Sequence, residues 1–228
     1  MKWIVMIMLL CLAAPASSEE AELREDGAKA VAAAEEADTD LDTLMAGLEE
    51  RMAEIRSVQA SFFQQKELSL LASTVVIKGR MALEGDRLAW HVDEPVRYSV
   101  VVIDAVMRQW DEDTGRVQRQ SLKGNPVFQA VMEQLGHWFA GRYRPLRQEY
   151  RVELLERSPA LRLRFVPREE SPAAKAIRSV TVEFPAEDAY IRGLKIVDAA
   201  GDATTLTFSD AVLNAPVPEE TWRVGERE

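Results

Sequence analysis

The spacing of apolar residues changes character several times along this chain. Residues 4–12 are apolar without a break. Between residues 41 and 56, apolar side chains fall at Leu41, Leu44, Met45, Leu48, Met52 and Ile55. Steps of three and four place them on one helical face, with Asp40 expected as the N-cap. Period two then takes over. Val75, Ile77, Gly79, Met81 and Leu83 alternate with Val76, Lys78, Arg80 and Ala82. Leu88, Trp90 and Val92 alternate with Arg87, Ala89 and His91. The same rhythm returns at Leu161, Leu163 and Phe165, at Val180, Val182 and Phe184, and at Leu206 and Phe208. Each reads as a strand with one wet face, and Gly-, Asp- and Pro-containing turns separate them. One stretch breaks the rhythm: after Asn125-Pro126, Val127, Phe128, Val131, Met132, Leu135 and Phe139 sit at helical spacing. The pattern predicts about ten antiparallel strands and two amphipathic helices. It is a mainly β architecture, a half-open antiparallel barrel partly covered by helices that leave room beneath them.

The first apolar run has a separate explanation. A short basic start, nine apolar residues and Ala14-Pro15-Ala16 make a secretory signal peptide over residues 1–18. Cys11 invites a lipoprotein reading, but Leu10 stands where a small residue is expected. Cleavage removes this single cysteine, so the exported protein has neither disulfide nor thiol chemistry. Residues 19–40 hold nine acids and two bases among alanines, which reads as a disordered or weakly helical acidic leader. The formal charge of −10 is therefore concentrated there, and residues 41–228, read as one domain, carry 29 acids against 25 bases. No basic footprint for nucleic acid appears.

Catalytic chemistry is hard to assemble from what is left. The two histidines, His91 and His137, lack metal-ligand spacing, and His91 falls on the outward side of its strand. There is no nucleophile elbow, P-loop or dinucleotide fingerprint. No enzyme, metal or cofactor is expected. What recurs is apolar surface: Trp90, Trp110 and Trp138, the methionines at 45, 52, 81, 107 and 132, and the phenylalanines at 62, 63, 128 and 139. Methionine adapts its shape and suits promiscuous apolar binding.

Several stretches resemble the LolA family of periplasmic lipoprotein carriers. They are Ser57-Val58-Gln59-Ala60-Ser61-Phe62-Phe63-Gln64-Gln65, the segment from Gly79 to Trp90, Pro95 five residues after that Trp, and Leu163-Arg164-Phe165-Val166-Pro167. The helix after Asn125-Pro126 sits where that family has its second lid helix. The resemblance implies a helical lid over an apolar cavity and monomeric transport of acylated lipoproteins or related lipid across the periplasm. It implies loading by an inner-membrane ABC-type release complex and delivery to an outer-membrane receptor. Carried over position by position, it implies Met52, Phe62, Leu88, Trp90 and Val100 as cavity-lining residues. Strand alternation adds Met81, Val102 and Trp110, and the mid-chain helix adds Phe128, Val131, Met132 and Leu135. There is one departure. The family commonly carries a lid-locking arginine six residues before the strand Trp; here that position is Glu84, and Arg80 and Arg87 are out of register. An envelope lipid sensor of the same fold is the alternative, followed by a lipid-modifying hydrolase.

Overall fold

Short segments with period two need ladder partners, because each strand exposes a row of N–H and C=O groups. A computed structural model describes residues 27–68, 74–123, 138, 141, 143–185 and 190–225, and every strand in it is paired. Helix α1 (Gly27–Met52) comes first. Strands β1 (Ser57–Glu67), β2 (Thr74–Glu84), β3 (Arg87–Glu94), β4 (Tyr98–Ile103), β5 (Val106–Asp111) and β6 (Val117–Ser121) follow. The short helix α2 (Tyr143–Glu149) leads into β7 (Tyr150–Glu156), β8 (Leu161–Pro167), β9 (Ile177–Phe184), β10 (Gly193–Asp198) and β11 (Ala203–Leu213). A 3₁₀ turn, Glu219–Trp222, closes the described chain.

All eleven strands belong to one open sheet, in the order β6-β5-β4-β3-β2-β1-β11-β10-β9-β8-β7. It consists of two antiparallel meanders joined by their outermost strands in sequence, β1 and β11, with Phe62 opposite Phe208. The strand that sequence spacing did not distinguish is typified by β6. Its five residues, VQRQS, are all exposed and show no apolar alternation.

Helix α1 also differs from expectation. It begins at Gly27, so Asp40 lies inside it rather than capping it. The alanine-rich sequence ahead of Asp40 continues the helix, since alanine has the strongest helix propensity. The mid-chain helix expected after Asn125-Pro126 lies outside the described residues, apart from Trp138, which is helical and buried.

Directly opposed residues in an antiparallel ladder share a face, so the register defines an inner face beneath α1. One row runs Phe208, Phe62, Gly79, Val92, Tyr98. The next runs Ala60, Met81, Trp90, Val100, and the third Val58, Leu83, Leu88, Val102, Met107. Gly79 is the small residue in the first row for a reason. A Cβ there would stand 2.0 Å from the His91 carbonyl oxygen and 2.6 Å from Cζ of Phe62. Its absence lets Phe62 lie across β2 and stack on Trp90, with ring centroids 4.0 Å apart.

Gly79→Ala is therefore expected to destabilise the fold by about 3 kcal/mol in a denaturant titration, because a backbone oxygen must move as well as a ring. A loss below about 1 kcal/mol would show that the ladder yields there instead.

Candidate functional site

The inner face of the sheet is the candidate site. Of the residues anticipated there, Met52, Phe62, Met81, Leu88, Trp90, Val100 and Val102 stand together on it or against it. Met52, Phe62 and Met81 are buried in the main core cluster, and Leu88 and Trp90 are half-buried against it. Val100 and Val102 form an adjoining cluster with Leu122, touched by Leu88, Tyr98 and Met107. Phe128, Val131, Met132 and Leu135 lie outside the described residues.

Trp110 is not part of this wall. It is opposite Ser99, which is opposite His91, so the register puts it on the outer face. It is nonetheless only 6% exposed, and the Arg97 guanidinium lies 6.0 Å from its ring centroid. Alternation within β5 alone could not choose the face; the pairing with β4 does. Phe63 is also an outer-face residue, 37% exposed, because it neighbours the inward Phe62.

The cover over the inner face comes from α1 and the segment entering α2. Leu41, Met45, Leu48 and Met52 are all buried. Met52 sits on Gly141, where a Cβ would come within 2.5 Å of the Met52 Cβ, and Gly141 has the positive φ of 69° that glycine tolerates. The Tyr143 hydroxyl donates to the Trp138 carbonyl at 2.8 Å and lies 3.5 Å from the Met52 sulfur. Burial pushes the Tyr143 phenol well above its ordinary range, helped by the Glu49 carboxylate, so it stays a donor. Around it, Trp138, Tyr143, Tyr150, Phe165 and Phe184 meet mostly edge to face, with Trp138 and Phe165 at 4.7 Å. This aromatic half of the wall was missed as a site. The alternation of Leu161, Leu163 and Phe165 marks one side of it, but Tyr143 and Tyr150 carry no periodic signal.

The open hollow expected beneath the helices is not found among the described residues. A crevice of about 10 Å³ remains, lined by Ile55, Val58, Ala60, Met81, Tyr190, Ile191 and Phe208. That is about the room one water needs. Methionine and aromatic side chains from α1 and the α2 segment occupy the space instead.

A family model, "Outer membrane lipoprotein carrier protein LolA", matches residues 53–224. The chain belongs to the LolA family. No curated relative matches it in sequence. Among solved structures, an uncharacterized conserved protein from Thermus thermophilus is similar with a TM-score of 0.50 and 8% identity. The match covers 81% of this chain and 94% of that one. The Mycobacterium tuberculosis lipoprotein LppX matches at 0.46 and 16% identity, over 78% of this chain and 98% of its own. The Pseudomonas aeruginosa MucA/MucB complex matches at 0.48 and 14%, over 82% of this chain. There the match covers 61% of the other chain, so this protein spans about three fifths of it. At such identities the likeness is one of fold.

The departure at the family's lid-locking position, Glu84 here, is matched by different partners for the helix. Arg80 pairs with Asp93 at 2.9 Å, and Arg87 pairs with Glu84 at 3.1 Å. Both arginines are on the outer face, away from α1. The ion pairs to α1 come from the other end of the sheet: Arg157 to Asp40 and Arg147 to Asp42.

The outer face of the LolA-like sheet has a cover of its own. His91 was expected on a wet face, yet it is 4% exposed. Its Nε2 donates to the Thr221 carbonyl at 2.8 Å, and Nδ1 meets the Ser99 hydroxyl at 2.9 Å. Trp222 is buried with Ala82, Ala89 and Val101, and Arg87 lies 4.0 Å over its ring. The C-terminal segment thus seals the outer face of β2–β4. The contact spans 130 residues of sequence and leaves no local trace.

His91→Leu leaves the Thr221 carbonyl and the Ser99 hydroxyl without this partner. The expected result is a loss of about 1–3 kcal/mol in stability, together with faster amide exchange over residues 214–225 in hydrogen-exchange mass spectrometry.

Proposed function

We propose that this protein is a periplasmic carrier that shields acyl chains of lipoproteins, or of a related lipid, against the inner face of its sheet during transfer between membranes. The observation that carries the reading is a broad apolar wall covered by helix rather than by a second sheet, with the amphipathic α1 as the main part of that cover. Membership of the LolA family supports it. The form with α1 docked is the closed one, in which the helix stands where the guest would lie. Phe62, Met81, Leu88, Trp90, Val100 and Val102 are the wall residues assigned to hold the guest, and Met52 is assigned to line the cavity from the end of the helix that yields to it. Phe128, Val131, Met132 and Leu135 are assigned to the second cover. Loading by an inner-membrane ABC-type complex, delivery to an outer-membrane acceptor, and action as a monomer complete the proposal.

The energetics favour exchange over trapping. Burying an aliphatic side chain gains about 1.5–3 kcal/mol, so Leu41, Met45, Leu48 and Met52 together hold α1 by about 6–12 kcal/mol. A 14-carbon acyl chain gains on the order of 10 kcal/mol when fully buried. The two terms are of similar size. A guest that displaces the helix therefore gains little net affinity and can be released again. Plastic methionines on the helix lower the barrier to repacking.

Two predictions separate this reading from a merely structural core. Leu88 is half-buried, so Leu88→Glu should fold yet lose binding of a fluorescent acyl probe by at least tenfold. Val117→Glu, at a residue 55% exposed on the edge strand β6, should leave binding intact. Retained binding in Leu88→Glu would sink the assignment of the wall. In the second test, Arg147→Gln with Arg157→Gln removes the Arg147–Asp42 and Arg157–Asp40 pairs to α1. Exposed pairs contribute about 0.2–1 kcal/mol each, so easier undocking should raise acyl affinity about two- to thirtyfold. Unchanged affinity would mean that α1 does not move for the guest.

A further inference from the structure

Tyr98 opens β4 and lies on the inner face, opposite Val92 on one side and Asp111 on the other. Its ring touches both apolar clusters of the wall. Its hydroxyl is buried and has no hydrogen-bond partner among the described residues. An unmet buried donor costs about 1–3 kcal/mol, and buried polar atoms are otherwise nearly always bonded. Burial, reinforced by Asp111, pushes the phenol above its ordinary range, so it remains an O–H donor. Asp111 itself accepts from the Thr114 backbone N–H at 2.9 Å, in the turn after β5.

The position of this hydroxyl is informative. From Tyr98 the inward residues of β4 are Val100 and Val102, beside Trp90 and Leu88 of β3. That track is about 13 Å long at 3.4 Å per residue. In the other direction Asp93, Glu94, Pro95 and Arg97 are exposed, and the apolar wall ends. Tyr98 thus marks the junction between a hydrocarbon track and a polar rim. A guest atom that satisfies its O–H must be an acceptor. The Asp111 carboxylate nearby disfavours a phosphate or a free carboxylate there, and a neutral carbonyl is compatible.

We propose that the Tyr98 hydroxyl anchors the polar end of the guest, donating a hydrogen bond to the carbonyl oxygen of an ester- or amide-linked acyl chain. This rests on the acyl-carrier reading of the wall. It assigns specificity: the protein distinguishes acyl from alkyl chains of equal length.

The test compares dipalmitoylglycerol with its di-O-hexadecyl ether, which lacks the carbonyls, using tryptophan fluorescence of the purified protein. The unsubstituted protein should bind the ester about five- to tenfold more tightly. Tyr98→Phe should bind the two probes equally, with affinity for the ether unchanged. Binding of both probes without preference, or a preference that survives Tyr98→Phe, overturns the anchor while the carrier reading stands. Binding of neither probe removes the carrier reading and the anchor with it. The unliganded variant supplies an independent readout. Tyr98→Phe should melt at the same or a higher temperature, because it deletes an unsatisfied donor. A clearly lower melting temperature would mean that the hydroxyl is already bonded in the free protein, and would overturn the proposal.

Discussion

An eleven-stranded open sheet with an apolar inner face has no second sheet to pack on, and that requirement shapes the molecule. Leu154, Leu163, Val182, Leu194 and Leu206 continue the apolar surface across β7–β11. Exposed, a surface this wide would aggregate. It must be covered by something, and α1 with the aromatic segment around Trp138 and Tyr143 is that cover. The two meanders contribute differently. The β7–β11 half is filled by interlocked rings, whose edge-to-face contacts add about 0.5–1.5 kcal/mol each beyond burial. The β2–β5 half is lined mainly by aliphatic and methionine side chains with Trp90 and Tyr98 among them, and Leu88, Trp90, Tyr98 and Met107 are only half-buried.

That asymmetry suits a carrier. In the proposed carrier, the ring-filled half would fix the sheet, while the half with more exposed side chains would admit a guest at low cost in lost packing. The helix is held by apolar contacts of about the same strength as an acyl chain would make. Its ion pairs lie at the ring-filled end, on β7–β8 and α2. An arrangement of this kind keeps the wall dry when no guest is bound, without making the cover irreversible.

Much of the fold was legible because alternation is local. Leu88, Trp90 and Val92 had to face one way, since side chains alternate strictly along a strand. The helical stripe of α1 from Leu41 to Met52 was equally plain. The N-terminal extent of that helix was not, because Asp40 imitates a cap while the alanines before it carry the helix onward. Trp110 shows the limit of the same reasoning. Its strand is short and mixed, and only the pairing of Trp110 with Ser99 reveals which face it takes. His91 shows another limit. Alternation placed it outward correctly, but outward was not wet, because Thr221 and Trp222 return from the far end of the chain to cover it.

The amino-acid order by itself determined the alternating strands β2, β3, β8, β9 and β11 with their inward and outward residues, the amphipathic stripe of α1 and the LolA-like character of the whole. Each of these is set by neighbours two to four positions apart. Tertiary structure decided what fills the inner face, which arginines hold the helix, which face Trp110 joins and where a buried hydroxyl at Tyr98 is left without a partner among the described residues. Those outcomes depend on pairings between residues tens to more than a hundred positions apart. The register of a ladder and the return of a terminal segment fix such pairings, and local spacing does not encode them.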